Sequence, residues 1–155
     1  MSEPRPASEE ALRIRRYVRR AAFFLGVALL IWLPMENSSI LWPLLFALAG
    51  SILGVVRALT PPPRTGGWRW LLYALAGMLA GLAVTPLAIF IMAFKSGLHG
   101  HGAPDFSPGQ VISVINRTPW WVISGTLTGA GCGLMRKIKD SSLKPAQQQG
   151  DRPPL

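Results

Sequence analysis

The chain has 155 residues, 50% of them hydrophobic and only 15% charged, with a mean hydropathy of +0.32; an average soluble domain carries about 25% charged residues, so this composition cannot cover an ordinary water-exposed surface. A net charge of +9 would point to nucleic acid in a soluble protein, but the basic residues here flank apolar runs, which makes anionic lipid headgroups the simpler partner and leaves no role for nucleic acid. The single cysteine, Cys132, excludes an intrachain disulfide.

Residues 1–20 form a basic arm. Ser8, Glu9, Glu10 and Ala11 mark a helix start, and Leu12, Ile14, Tyr17 and Val18 then interleave with Arg13, Arg15, Arg16, Arg19 and Arg20. These five arginines are candidate contacts for lipid headgroups, each worth roughly 1 kcal/mol near an anionic surface. They also form a topology signal. The apolar run that follows resembles the core of a cleaved signal peptide, but the exit sequence Pro34, Met35, Glu36, Asn37, Ser38 and Ser39 lacks an A-x-A-like cleavage site, so it is expected to remain as a first span.

Four stretches, residues 21–35, 40–56, 70–94 and 120–135, contain no Asp, Glu, Lys, Arg or His. Extended through flanks whose arginine stems can reach the headgroups, they predict spans at about 18–35, 39–59, 69–94 and 119–135. None has the polar face at a period near 3.6 that a soluble bundle helix would show. Residues 34–39 are short enough to force a helical hairpin, and the proline and glycine segment 61–67 is a linker between two such hairpins.

Of the 16 Lys and Arg residues, all but Lys95 and Arg117 fall before the first apolar stretch, between the second and third, or after the fourth. The positive-inside rule therefore places both ends and the central linker in the cytoplasm, and the plasma (inner) membrane is the expected location. Trp32, Trp42, Trp68, Trp70, Trp120 and Trp121 fall at span ends, as an aromatic belt requires.

Glycine recurs at four-residue spacing: Gly50 and Gly54 in the second span, Gly77 and Gly81 in the third, Gly125, Gly129 and Gly133 in the fourth. Residues four apart share a helix face, and glycine there admits the close backbone approach that drives helix association in lipid. These seven positions are the expected helix-packing residues. They are expected first to hold the four helices of one monomer together; if one face does more, that through Gly125, Gly129 and Gly133 is the best candidate for docking on another copy or a different membrane protein.

The outer loop, residues 95–119, holds the two histidines. His99 and His101, with Asp105, could take Zn or Cu, since imidazole nitrogen and carboxylate oxygen suit both ions. No cysteine or third histidine completes the set, so a solvated turn without a cofactor is the simpler expectation. Ser107, Pro108 and Gln110 read as a capping box for a short helix over about 108–116, with Phe106 and Val111 as its hydrophobic staple; such a helix would lie at the outer interface or over the bundle. Residues 136–155 are read as a disordered cytoplasmic tail.

The remaining polarity within the spans is Ser51, Thr85, Ser124, Thr126, Thr128 and Cys132. With no ionisable group there, and no nucleophile elbow, phosphate loop or zinc-protease motif, neither an enzyme nor a proton-coupled pump is expected. The expected architecture is an all-α integral membrane protein of four transmembrane helices arranged as two antiparallel hairpins. The expected role is that of a scaffold, accessory or assembly partner, and the alternative is a small transporter or oligomeric channel lined by Thr85, Ser124, Thr126 and Thr128.

Overall fold

A computed structural model describes residues 6–35, 38–60, 68–99 and 105–150. The linker 61–67, His101 and Arg152 lie outside them. The described residues are helical, with no strand: α1 (Pro6–Trp32), α2 (Leu41–Ala58), α3 (Arg69–His99), α4 (Pro108–Asn116) and α5 (Thr118–Gly150).

The helix boundaries follow from local chemistry. The hydroxyl of Ser39 accepts from the backbone N–H of Leu41 at the start of α2, and Pro43 falls in the first turn, where the missing N–H costs nothing. Thr60 ends that helix, its Oγ1 donating to the carbonyl of Val56 at 2.7 Å. At α4, Ser107 is extended (φ −70°, ψ 153°), its side chain accepts from Gln110 N at 3.3 Å, and Gln110 Oε1 accepts from Ser107 N at 2.7 Å. Two of the unpaired donors at the helix start are thereby satisfied. Arg117 closes α4, and α5 begins at once with Pro119 in its first turn.

Two helices run further than their apolar stretches. α3 continues through Lys95 and Gly97 to His99, so Gly97 belongs to a helix and not to the flexible turn expected there. At 1.5 Å per residue its 31 residues extend about 46 Å, well past a hydrocarbon core of about 30 Å. α5 continues to Gly150, where a disordered tail was expected after Met135; no glycine or proline between Gly133 and Pro145 interrupts it.

α2 and the stretch 70–99 of α3 are long and apolar enough to cross a membrane, and only 28% and 39% of their apolar windows are buried within the molecule. A core helix of a soluble protein would be mostly covered. Phe23, Phe24, Leu30, Phe90 and Leu127 are also exposed on several helices, far more apolar surface than a soluble monomer tolerates in one piece. Together these features point to membrane association. α1 and α5, of 27 and 33 residues, are long enough but less apolar, α1 because of its arginines and α5 because glycine, threonine and serine dilute its aliphatic residues before Met135 and charged and amide residues follow it.

The four long helices form an open row. α1 packs along α2 and reaches α3 through Trp32, which lies under Lys95, α2 lies between α1 and α3, and α3 lies between α2 and α5; among the described residues the backbones of α1 and α5 do not approach each other, nor do those of α2 and α5. The buried core gathers at the end that carries α4, where Trp32, Phe46, Val84, Ala88, Phe106 and Val114 meet. The rings of Trp32 and Phe46 meet at a tilt of 45° with centroids 5.7 Å apart, joining α1 to α2.

α3 and α5 share the most extensive contact. Trp70 lies against Gly133, Tyr73 against Gly129, Gly77 against Gly125, Gly81 against Trp121, and Thr85 Oγ1 is 2.8 Å from Thr118 Oγ1. The pairs advance about four residues at a time along both helices in opposite senses, so the helices are antiparallel. A Cβ placed on Gly77 would clash with the carbonyl of Gly125, one on Gly129 with the carbonyl of Tyr73, and one on Gly133 would lie 2.7 Å from the Cα of Trp70. The face of α5 through Gly125, Gly129 and Gly133 is therefore spent on packing within the monomer, and is not free to dock on another protein. Gly50 and Gly54 of α2 differ: nothing lies within 4 Å of a Cβ built at either.

Candidate functional site

Two places gather side chains with chemical potential, one at each end of the helical row. At the α4 end, the polar groups of the outer loop are tied to the helices. Lys95 is 1% exposed; its Nζ donates to the carbonyl of Met35 at 2.6 Å and sits 4.0 Å from the centroid of the Trp32 ring. A desolvated ammonium over an indole face gains about 2 kcal/mol, so Lys95 pins the turn after α1 to the end of α3. His99 Nδ1 and Asp105 Oδ2 lie 2.6 Å apart, and Asp105 N donates to Ser96 Oγ at 3.2 Å. Gln110, beyond its capping role, donates from Nε2 to the carbonyl of Ser38 at 3.0 Å. The loop, α3 and the α1–α2 turn are thus held by one set of bonds.

Two of the three proposed metal ligands, His99 and Asp105, are brought together here. A carboxylate on one imidazole nitrogen fixes the ring, as it does behind many metal sites. Among the described residues, however, no group of three His, Cys, Asp or Glu side chains converges, and His101 is not among them. The chemistry on view at this end is that of a clamp.

At the opposite end, α2 and α5 diverge over α3 and leave a groove of about 590 Å³. Its walls are aliphatic, with Leu48, Ile52 and Val55 of α2 facing Cys132 and Met135 of α5, and its floor is the small surface of Gly77, Ala80 and Gly81. Most of its hydroxyls are already used: Ser51 donates to the carbonyl of Ala47 at 2.8 Å and Thr128 to that of Ser124 at 2.8 Å. Such bonds turn the methyl and methylene surfaces outward. Thr85 and Thr126 do not line it; Thr85 pairs with Thr118, and Thr126 donates to the carbonyl of Val122 at 2.7 Å. The four hydroxyl residues expected along one path are therefore divided between different surroundings.

The mouth of the groove is basic. Arg136 lines it, its guanidinium 5.1 Å from the Tyr73 ring centroid and hydrogen-bonded to the Tyr73 hydroxyl. Arg15 of α1 donates to the carbonyl of Thr60, another lining residue, at 3.1 Å. No lining residue is acidic. On the neighbouring surface of α1, Arg13, Arg16, Tyr17 and Arg20 surround a separate small concavity, and Arg19 is exposed beside them.

By their place in the sequence, Lys95 and Arg136 are no more than topology signals. A lone lysine directly after a long apolar stretch, on the side otherwise poor in basic residues, was the available sign that Lys95 is used internally. Nothing in the spacing linked Arg136 to Tyr73 or Arg15 to Thr60, because those pairs depend on how the helices lie side by side. No protein-family model, curated protein or solved structure matches this chain.

Proposed function

We propose that the chain is a four-span protein of the plasma (inner) membrane, with both ends cytoplasmic, and that it serves as a non-enzymatic scaffold, accessory or assembly partner for another membrane protein or a second copy of itself. The docking face is the Gly50 and Gly54 line of α2. The observation that carries this is the contrast between equal motifs: glycines four apart bring α3 and α5 into backbone contact, whereas those on α2 face open space. In lipid, small residues at that spacing favour a helix neighbour, and the open row leaves α2 room for one.

The full-length protein, solubilised from membranes in mild detergent, should co-purify with a distinct membrane protein or run as an oligomer. Gly50→Leu combined with Gly54→Leu should release that association while the chain still inserts. A protein that is monomeric and partnerless before the substitutions, or whose associations survive them, contradicts the proposal. Reporters fused at Met1 and Leu155 should both appear on the cytoplasmic face. The channel alternative has less behind it, because Thr85 and Thr126 lie away from the groove that Ser124 and Thr128 line; permeation of liposomes by the purified protein alone would favour it.

A further inference from the structure

We infer that the groove between α2 and α5 is a lipid site, holding one acyl chain of an anionic phospholipid from the surrounding bilayer with its phosphate at Arg136 and Arg15. The inference rests on the membrane reading above but uses a different face from the one proposed for docking: neither Gly50 nor Gly54 lines the groove.

Three observations select this occupant. First, the lining is mostly apolar, and the hydroxyls of Ser51, Thr60 and Thr128 are spent on their own helices, so little inside calls for a polar solute. Second, the volume of about 590 Å³ falls within the range of about 300–1,000 Å³ for small-ligand sites. A helix about 10 Å across would fill it within roughly one and a half turns, whereas a linear hydrocarbon can follow the cleft. Third, the charge stands at one end only. Arg136 is held at the mouth by Tyr73 and Arg15 by the carbonyl of Thr60, with no carboxylate among the lining residues to neutralise them. Guanidinium groups present paired donors that match phosphate oxygens, and the tyrosine and backbone contacts spare part of the entropy of ordering them.

The test uses the full-length protein purified in mild detergent, reconstituted into nanodiscs of phosphatidylcholine with a minor fraction of phosphatidylglycerol, and examined by native mass spectrometry after progressive delipidation. One phosphatidylglycerol should be retained in preference to phosphatidylcholine. Arg136→Gln and Arg15→Gln should each lower that preference about fivefold, and the lysine replacements at the same positions should keep most of it. Thr128→Phe, which fills the groove and leaves both arginines in place, should abolish retention.

Equal retention of the two lipids by the unaltered protein overturns the site, as does a preference insensitive to the arginine replacements or to Thr128→Phe. Cross-linking of two copies through Cys132, which lines the groove, would mean that a second chain occupies it and would also overturn the inference. A chain that never sediments with membranes defeats the membrane reading as well, and sedimentation separates that failure from failure of the site alone.

Discussion

α3 has two neighbours and meets them in different ways. Towards α5 it offers backbone: from Trp70 to Thr85 the two helices approach so closely that added methyl groups would strike carbonyls. Towards α2 it offers side chains, and the buried part of that contact lies at the α4 end, where Val84, Ala88, Ile91 and Met92 share a core with Leu44, Phe46 and Ala47. At the other end α2 leaves the α3–α5 pair and the groove opens. The same helix thus takes part in a seam without slack and in a junction that closes at one end. Glycine permits the first because dispersion contact between backbones needs no side chain to intervene, and bulky aliphatic residues hold the second apart wherever they are not interdigitated.

The sharpest way to break this comparison is to give the seam a side chain. Gly125→Leu should separate α3 from α5 and destabilise the protein by more than about 3 kcal/mol, beyond the usual range for overpacking, as read by unfolding in mixed detergent micelles; a change near zero would mean that the seam is not formed. On the α2 side, Lys95→Ala removes the donor to Met35 and the cation over Trp32, with an expected loss of about 2 kcal/mol in the same measurement. A smaller effect belongs to Ser107→Ala, about 1 kcal/mol, seen as faster hydrogen exchange confined to the start of α4.

The smallest effect has the opposite sign. Because Gly50 and Gly54 have open space around them, Gly50→Ala and Gly54→Ala should leave the monomer unchanged or raise its stability by up to about 1 kcal/mol through helix propensity. Gly77→Ala, identical in chemistry, should be destabilising because its methyl group would meet the Gly125 carbonyl. If both classes behaved alike, the distinction between the two sides of α3 would fail.

Much of the helical organisation was legible in the residues. The Ser107 and Gln110 spacing marks the start of α4, because both partners of a capping box lie within four residues of each other, and the turn after α1 is short enough to read directly. The seven glycines were also visible, but their roles were not. Gly50 and Gly54 carry the same spacing as Gly125 and Gly129, yet one pair faces open space and the other is covered. His99 and Asp105 were singled out together and do meet, whereas Lys95, more deeply buried than either, read as a charge at a span end.

Local pattern determined that the apolar stretches are helical, where α4 begins, and that α2 and α3 are apolar enough for lipid, since backbone hydrogen bonds within a helix and side-chain hydropathy depend on neighbours a few residues away; it did not show that α3 and α5 run on to His99 and Gly150. The tertiary structure decided which small-residue face is spent within the chain, which lysine is buried, and that Arg136 lines the groove while Arg15, far away in sequence, bonds to its lining residue Thr60. Those outcomes depend on how the helices align beside one another: a rotation of α5 by a fraction of a turn would carry Gly125 and Arg136 to other neighbours without changing a single local preference.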